Sequence, residues 1–131
     1  MKSLQSIRVL YLVSALYDGI LGLAFIVAAP TVFAWTGVPV PNDWGYLHFA
    51  AALLLVFTWM FVNIARDPVA NRNLVQYCVL LKVAYVCAAA WHWANGGIPD
   101  VWKVFAVADI VFAGLFVWSL GPIDAARKQA T

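Results

Sequence analysis

Three charged side chains, Asp18, Lys82 and Asp109, lie within three separate stretches of the sequence that are otherwise apolar. A charge at the centre of a lipid bilayer costs about 2.5–3.5 kcal/mol even on the scales that penalise it least. Three charges without partners would together cost on the order of 8–10 kcal/mol, comparable to the whole stability of an ordinary domain. We therefore expect the three groups to be buried against each other or around a ligand. Ionisable groups at this depth commonly mark a proton or substrate pathway.

Three hydroxyl groups are placed to support this charged centre. Ser14 lies one helical turn before Asp18, and Tyr17 adjoins that aspartate in the sequence. Tyr85 lies about one turn after Lys82. Two acids and one base leave one negative charge, so we expect one aspartate to be protonated or to accept a hydrogen bond from one of these hydroxyls.

The charged centre has more than one interpretation. In the first, Lys82 bridges both aspartates and only locks the helices together. In the second, an aspartate titrates or the centre contacts a ligand. In a third interpretation Lys82 snorkels to the headgroup layer, which would require its side chain to extend over a long distance from the centre of the span.

Two histidines form a second polar layer. His48 opens the second apolar stretch and His92 closes the third, each about 11–12 Å from the centre of its span at the helical rise. Two imidazoles at equal height could hold a haem iron, bind a metal ion or donate to a quinone carbonyl. No four-ligand set accompanies them, so the sequence predicts no structural metal site. The plainer interpretation is two interfacial histidines that hydrogen-bond to loop backbone.

Composition indicates which elements position these groups. Of 131 residues, 65% are hydrophobic and 11% are charged, whereas soluble domains have about 45–50% apolar and about 25% charged residues. The sequence predicts a single all-α domain, an integral membrane four-helix bundle that runs up-down-up-down. Its spans are expected at about 9–29, 46–65, 74–94 and 101–120. Pro30 should end the first span, and Gly121-Pro122 should end the fourth.

The loops carry the signals for orientation. Six basic residues fall on one side of the predicted bundle: Lys2, Arg8, Arg66, Arg72, Arg127 and Lys128. The other side has only Lys103, so both termini are expected in the cytoplasm. Aromatic residues concentrate on that other side and predict an interfacial belt: Trp35, Trp44, Tyr46, Trp91, Trp93 and Trp102. The aromatic and proline-rich loop between spans one and two should lie on the membrane or cap the bundle, as a short helix. The net charge is only +2, and scattered basic residues do not favour nucleic acid as a partner.

A set of these features resembles the DoxX-like group of small bacterial four-span membrane proteins. The features are the four short spans, Asp18 followed by small residues, the Arg66-Asp67-Pro68 turn, Lys82 in span three and Asp109 in span four. The resemblance implies a multi-pass protein of the bacterial inner membrane, an accessory or redox-linked subunit rather than a stand-alone enzyme. It also implies a quinone-like or other apolar ligand. Because the chain has only four predicted spans, other membrane chains or further copies of itself are expected as partners.

Two other functions remain open at this point. One is a proton-coupled small-molecule transporter, in which Asp18 or Asp109 alternately binds a proton and a cargo. The other is a purely structural subunit of a membrane complex, in which the charged centre serves only assembly.

Overall fold

The computed structural model describes residues 2–131, and within that range the regular structure is entirely helical. The helices are α1 (Lys2–Val27), α2 (Ala29–Thr36), α3 (Trp44–Arg66), α4 (Val75–Gly96) and α5 (Asp100–Gln129), with a 3-10 turn at Arg72–Leu74. All except α2 are long and apolar enough to cross a membrane. The predicted all-α class and the four long apolar helices are thereby confirmed.

The four long helices pack as two antiparallel pairs. Along α1 and α3, Gly22 lies against Ala51 and Gly19 lies against Thr58, so the two helices run in opposite directions. Helices α4 and α5 also run in opposite directions, because Arg72, just before α4, pairs with Asp124 near the end of α5, whereas Tyr85 in the middle of α4 donates to the Trp102 carbonyl near the start of α5. Contacts between α3 and α4 are sparse by comparison, although these helices are neighbours in the chain. The bundle is therefore closed on the α1–α3 side and loose between α3 and α4.

The segment after α1 differs from the prediction for Pro30. Helix α1 already ends at Val27, and Pro30 lies in the first turn of α2. A proline suits that position, because its ring fixes φ and its missing N–H would have had no partner in the first turn. Gly37, with φ of 67°, ends α2 in the left-handed conformation. Phe33 of α2 is buried against rings of the long helices, so the predicted short helix does cap this end of the bundle.

Helix α5 continues through Gly121-Pro122 to Gln129, and the predicted stop at this dipeptide is wrong. Pro122 has no N–H to donate to the carbonyl four residues earlier, which weakens the helix locally. The following residues are nevertheless held by tertiary contacts. Ile123 is completely buried, and Asp124 pairs with Arg72. Tertiary packing therefore maintains α5 beyond Gly121-Pro122, although this dipeptide locally disfavours a helix.

Two aromatic clusters divide the interior. Tyr11, Phe61 and Phe116 form one near the chain termini, where the Tyr11 and Phe116 rings stack at 5.0 Å. Phe25 and Phe33 belong to the other, at the α2 end. Asp18 lies midway between Tyr11 and Phe25 along α1. The charged residues therefore occupy the level between the two clusters.

Replacing Gly22 with alanine should destabilise the bundle. A Cβ at Gly22 would come within 3.0 Å of the Ala51 carbonyl oxygen and 3.2 Å of a Leu55 methyl. Backbone cannot give way as a side chain can, so we expect a loss of about 1–3 kcal/mol in the free energy of unfolding. Circular dichroism during SDS titration of the detergent-solubilised protein measures this loss.

Gly114→Ala is the matched control, because a Cβ there meets no atom within 4 Å. Helix propensity alone predicts a gain of about 0.5–1 kcal/mol for that variant. Equal unfolding midpoints for the two variants would contradict the close approach of α1 and α3.

Candidate functional site

The ammonium group of Lys82 lies at the centre of the polar site. Its Nζ donates to Asp18 Oδ1 at 2.9 Å and to Asp18 Oδ2 at 3.0 Å. The same Nζ lies 3.2 Å from Asp109 Oδ1. The exposed fractions of the Lys82 and Asp18 side chains are only 2% and 1%. The three charges from α1, α4 and α5 therefore meet away from the surface, and Lys82 does not snorkel.

Aromatic rings surround the same ammonium group. Its Nζ lies 5.4 Å from the Tyr17 and Phe112 ring centroids and 5.8 Å from that of Phe61. A cation over the face of an aromatic ring is attracted by the ring quadrupole. Two carboxylates and three rings together replace the water that Lys82 loses on burial.

The two aspartates are not equivalent. Both oxygens of Asp18 accept hydrogen bonds from Lys82, whereas Asp109 is held by an ion-pair contact of 3.2 Å from its Oδ1. In the described part of the chain Asp109 Oδ2 accepts no hydrogen bond, and the Asp109 side chain keeps an exposed fraction of 10%. Two carboxylates and one ammonium carry a net charge of −1. In a medium of low dielectric constant this uncompensated charge attracts a proton or a second cation.

None of the three hydroxyls donates to an aspartate, so of the two predicted alternatives the hydrogen-bonded aspartate is not found. Ser14 donates to the Leu10 carbonyl of its own helix at 2.9 Å, as a hydroxyl on a short stem commonly does. Tyr85 donates instead to the Trp102 carbonyl at 3.0 Å. The Tyr17 hydroxyl is buried and has no hydrogen-bond partner within residues 2–131.

A cavity of about 450 Å³ adjoins the charged centre. Its polar end is formed by Asp18, Lys82, Asp109, Tyr17 and Tyr85. Its walls are aliphatic and aromatic, and they include Leu21, Phe25, Leu47, Leu54, Phe57, Trp102 and Phe105. The lining also includes Ala50 and Leu53 of α3 and Ala84 of α4, which are exposed. The cavity therefore reaches the surface between α3 and α4, where the two helices have few contacts.

The histidines do not belong to this cavity. His48 and His92 are both exposed, and neither lines the cavity. Leu47 turns inward, so the next residue along the helix, His48, points about 100° away from it. Neither ring has a hydrogen bond or an ion pair within residues 2–131, so the predicted bonds to loop backbone are not found there. No group of three metal-ligating side chains occurs in that range either. The two histidines therefore lie on the outside of the bundle and take no part in the cavity.

Two residues of the predicted aromatic belt face the interior instead. Trp102 packs on Phe25, Phe33 and Phe105, with ring centroids 5.8–6.1 Å apart. Trp44 also packs on Phe33. The exposed members of the belt are Trp35, Tyr46, Trp91 and Trp93. A side chain at the start of a helix can face either the interior or the surface. The sequence around Trp102 has no regular alternation of polar and apolar residues that would have distinguished these orientations.

Comparison with known proteins finds no matching family model, no matching curated protein and no matching solved structure. The resemblance to the DoxX-like group stays a prediction.

Removing the ammonium group should destabilise the fold more than removing a surface cation. In Lys82→Met two buried carboxylates lose their partner, and we expect a loss of about 3–5 kcal/mol in the free energy of unfolding. The control is Lys103→Met, because Lys103 pairs with the exposed Asp100 and a surface pair contributes about 0–1 kcal/mol. SDS-induced unfolding followed by circular dichroism measures both. A Lys82→Met variant as stable as Lys103→Met would show that the centre does not hold the helices together.

Proposed function

We propose that this chain is a small multi-pass membrane protein that binds an apolar small molecule beside the Asp18–Lys82–Asp109 centre. In this role it is an accessory or redox-linked subunit of a membrane complex. The observation that carries the proposal is the cavity, which has apolar walls, a charged end and an opening between α3 and α4.

The dimensions of the cavity fit such a ligand. Small-molecule sites usually have volumes of about 300–1,000 Å³, apolar walls and a few convergent polar groups, and the cavity has about 450 Å³. Both helices that flank the opening are long and apolar enough to span a membrane. A ligand dissolved in the bilayer can therefore enter sideways, and a tail longer than the cavity can stay among the lipid chains.

The distribution of basic residues supports a location with both termini in the cytoplasm. Arg66 at the end of α3, Arg72 before α4 and Arg127 in the last turn of α5 lie at the end of the bundle where α1 begins. Lys103 lies at the opposite end, in the first turn of α5. Excess positive charge is typical of the cytoplasmic side. Placement in a bacterial inner membrane rests on the DoxX-like resemblance.

Proton-coupled transport is a second candidate function. It is favoured by the net charge of −1 at the Asp18–Lys82–Asp109 centre, which adjoins a cavity that reaches the surface. Transport requires ligand-driven proton flux in proteoliposomes, followed with a trapped pH-sensitive dye, and its loss in Asp109→Asn. Flux that persists in this variant, or a wild-type protein without flux, removes this candidate and leaves binding alone.

Filling the cavity should abolish ligand binding. Ala84 lines the cavity and is exposed at its mouth, so the indole of Ala84→Trp can occupy the space without displacing the core. Ala88→Trp is the matched control, because Ala88 is exposed on the same helix and does not line the cavity. We expect 4-(trifluoromethyl)benzyl alcohol, observed by fluorine NMR in nanodiscs, to bind the wild type and Ala88→Trp and to lose at least about tenfold in affinity for Ala84→Trp, which corresponds to about 1.4 kcal/mol.

Equal signals from Ala84→Trp and Ala88→Trp would mean that the probe only partitions into lipid, and the proposal would fail. The redox-linked part of the proposal has a separate test. Displacement of the same probe by decylubiquinone supports it, and no displacement at saturating quinone removes it.

A further inference from the structure

We propose that the molecule held in this cavity is a lipophilic cation, an apolar body with one protonated amine, and that the amine pairs with Asp109 Oδ2. This inference rests on the proposed binding function and names the head group of the ligand. Three independent features of the site support it: its charge balance, the hydrogen-bonding groups that are free, and the rings around them.

The charge balance comes first. Three of the helices around the centre contribute ionisable groups to the cavity. Helix α1 contributes Asp18 and the neutral Tyr17, and α4 contributes Lys82 and the neutral Tyr85. Helix α5 contributes Asp109, and the α3 residues of the cavity are all apolar. The sum is −1. A ligand with one positive charge makes the site neutral, whereas an anionic ligand would raise its charge to −2.

The free hydrogen-bonding groups come second. The ammonium group of Lys82 is already engaged by both carboxylates, through two hydrogen bonds to Asp18 and an ion-pair contact of 3.2 Å to Asp109 Oδ1. Within residues 2–131 no hydrogen bond reaches Asp109 Oδ2, and the buried Tyr17 hydroxyl, which can accept or donate, has no partner. The ammonium group of a ligand can donate to either oxygen. A carbonyl or carboxylate oxygen has no proton to donate and would be repelled by the Asp109 carboxylate.

The rings beside these groups come third. Tyr17, Phe105 and Trp102 all line the cavity, with the Tyr17 and Phe105 centroids 6.4 Å apart and the Phe105 and Trp102 centroids 5.8 Å apart. Aromatic faces attract organic cations, and the attraction grows when the cation leaves water. Lys82 is already held in this way by Tyr17. The remaining walls of the cavity are apolar and suit the apolar remainder of the ligand.

A matched pair of ligands tests the inference without any mutation. 4-(Trifluoromethyl)benzylamine is protonated at pH 7, and 4-(trifluoromethyl)benzyl alcohol has nearly the same shape without the charge. Fluorine NMR in nanodiscs gives the affinity of each for the wild type, corrected for partitioning into protein-free nanodiscs. We expect the amine to bind at least about tenfold more tightly than the alcohol. In Asp109→Asn, where Lys82 and Asp18 remain as a neutral pair, we expect the ratio of the two affinities to fall to about one.

Each outcome decides between the two proposals. Tighter binding of the amine in the wild type, with the preference lost in Asp109→Asn, supports the inference. Equal or weaker binding of the amine overturns it and leaves the proposed function standing. A preference that persists in Asp109→Asn overturns the pairing with Asp109. Failure of the folded wild type to bind either ligand overturns the proposed function as well. The wild-type comparison stands even where Asp109→Asn does not fold.

Discussion

The bridge from Lys82 to Asp18 and Asp109 is the interaction on which the arrangement of helices depends. It joins α1, α4 and α5 at the level between the two aromatic clusters, and all three side chains are almost completely buried. A buried charge is costly unless it is paired and hydrogen-bonded. The relative rotation of the three helices is therefore constrained, because turning any one of them by a single residue would expose its charged group to apolar surroundings.

The same bridge explains why the polar centre adjoins a cavity. Lys82 is drawn toward α1 by both oxygens of Asp18, and α3 supplies no polar partner on its own side. Helix α3 instead packs closely on α1 through Gly19 and Gly22. Its contact with α4 is thin, and the space left between them has one charged end and apolar walls. The same uneven packing of the helices thus stabilises the bundle and leaves space for a ligand.

Much of this architecture follows from the sequence, because apolar length and the depth of charges are properties of the chain alone. Asp18, Lys82 and Asp109 could be expected to meet because each lies near the middle of its span. The hydrogen-bond acceptor of each hydroxyl could not be predicted, because backbone carbonyls compete with the aspartates as acceptors for Ser14 and Tyr85. The length of α5 beyond Pro122 depends on the burial of Ile123 and on the Arg72–Asp124 pair, which are tertiary contacts. The exposure of His48 and His92 could not be predicted either, because the apolar sequence around each does not show which face of its helix packs inward.

The close fit at Gly22 also has a consequence for which substitutions the bundle can accept. Because the Ala51 carbonyl would lie only 3.0 Å from a Cβ at this position, even one methyl group between α1 and α3 would force the two backbones apart. The contact between α3 and α4 is sparse. Side chains of different size should therefore be tolerated more readily along the α3–α4 boundary than along the α1–α3 boundary.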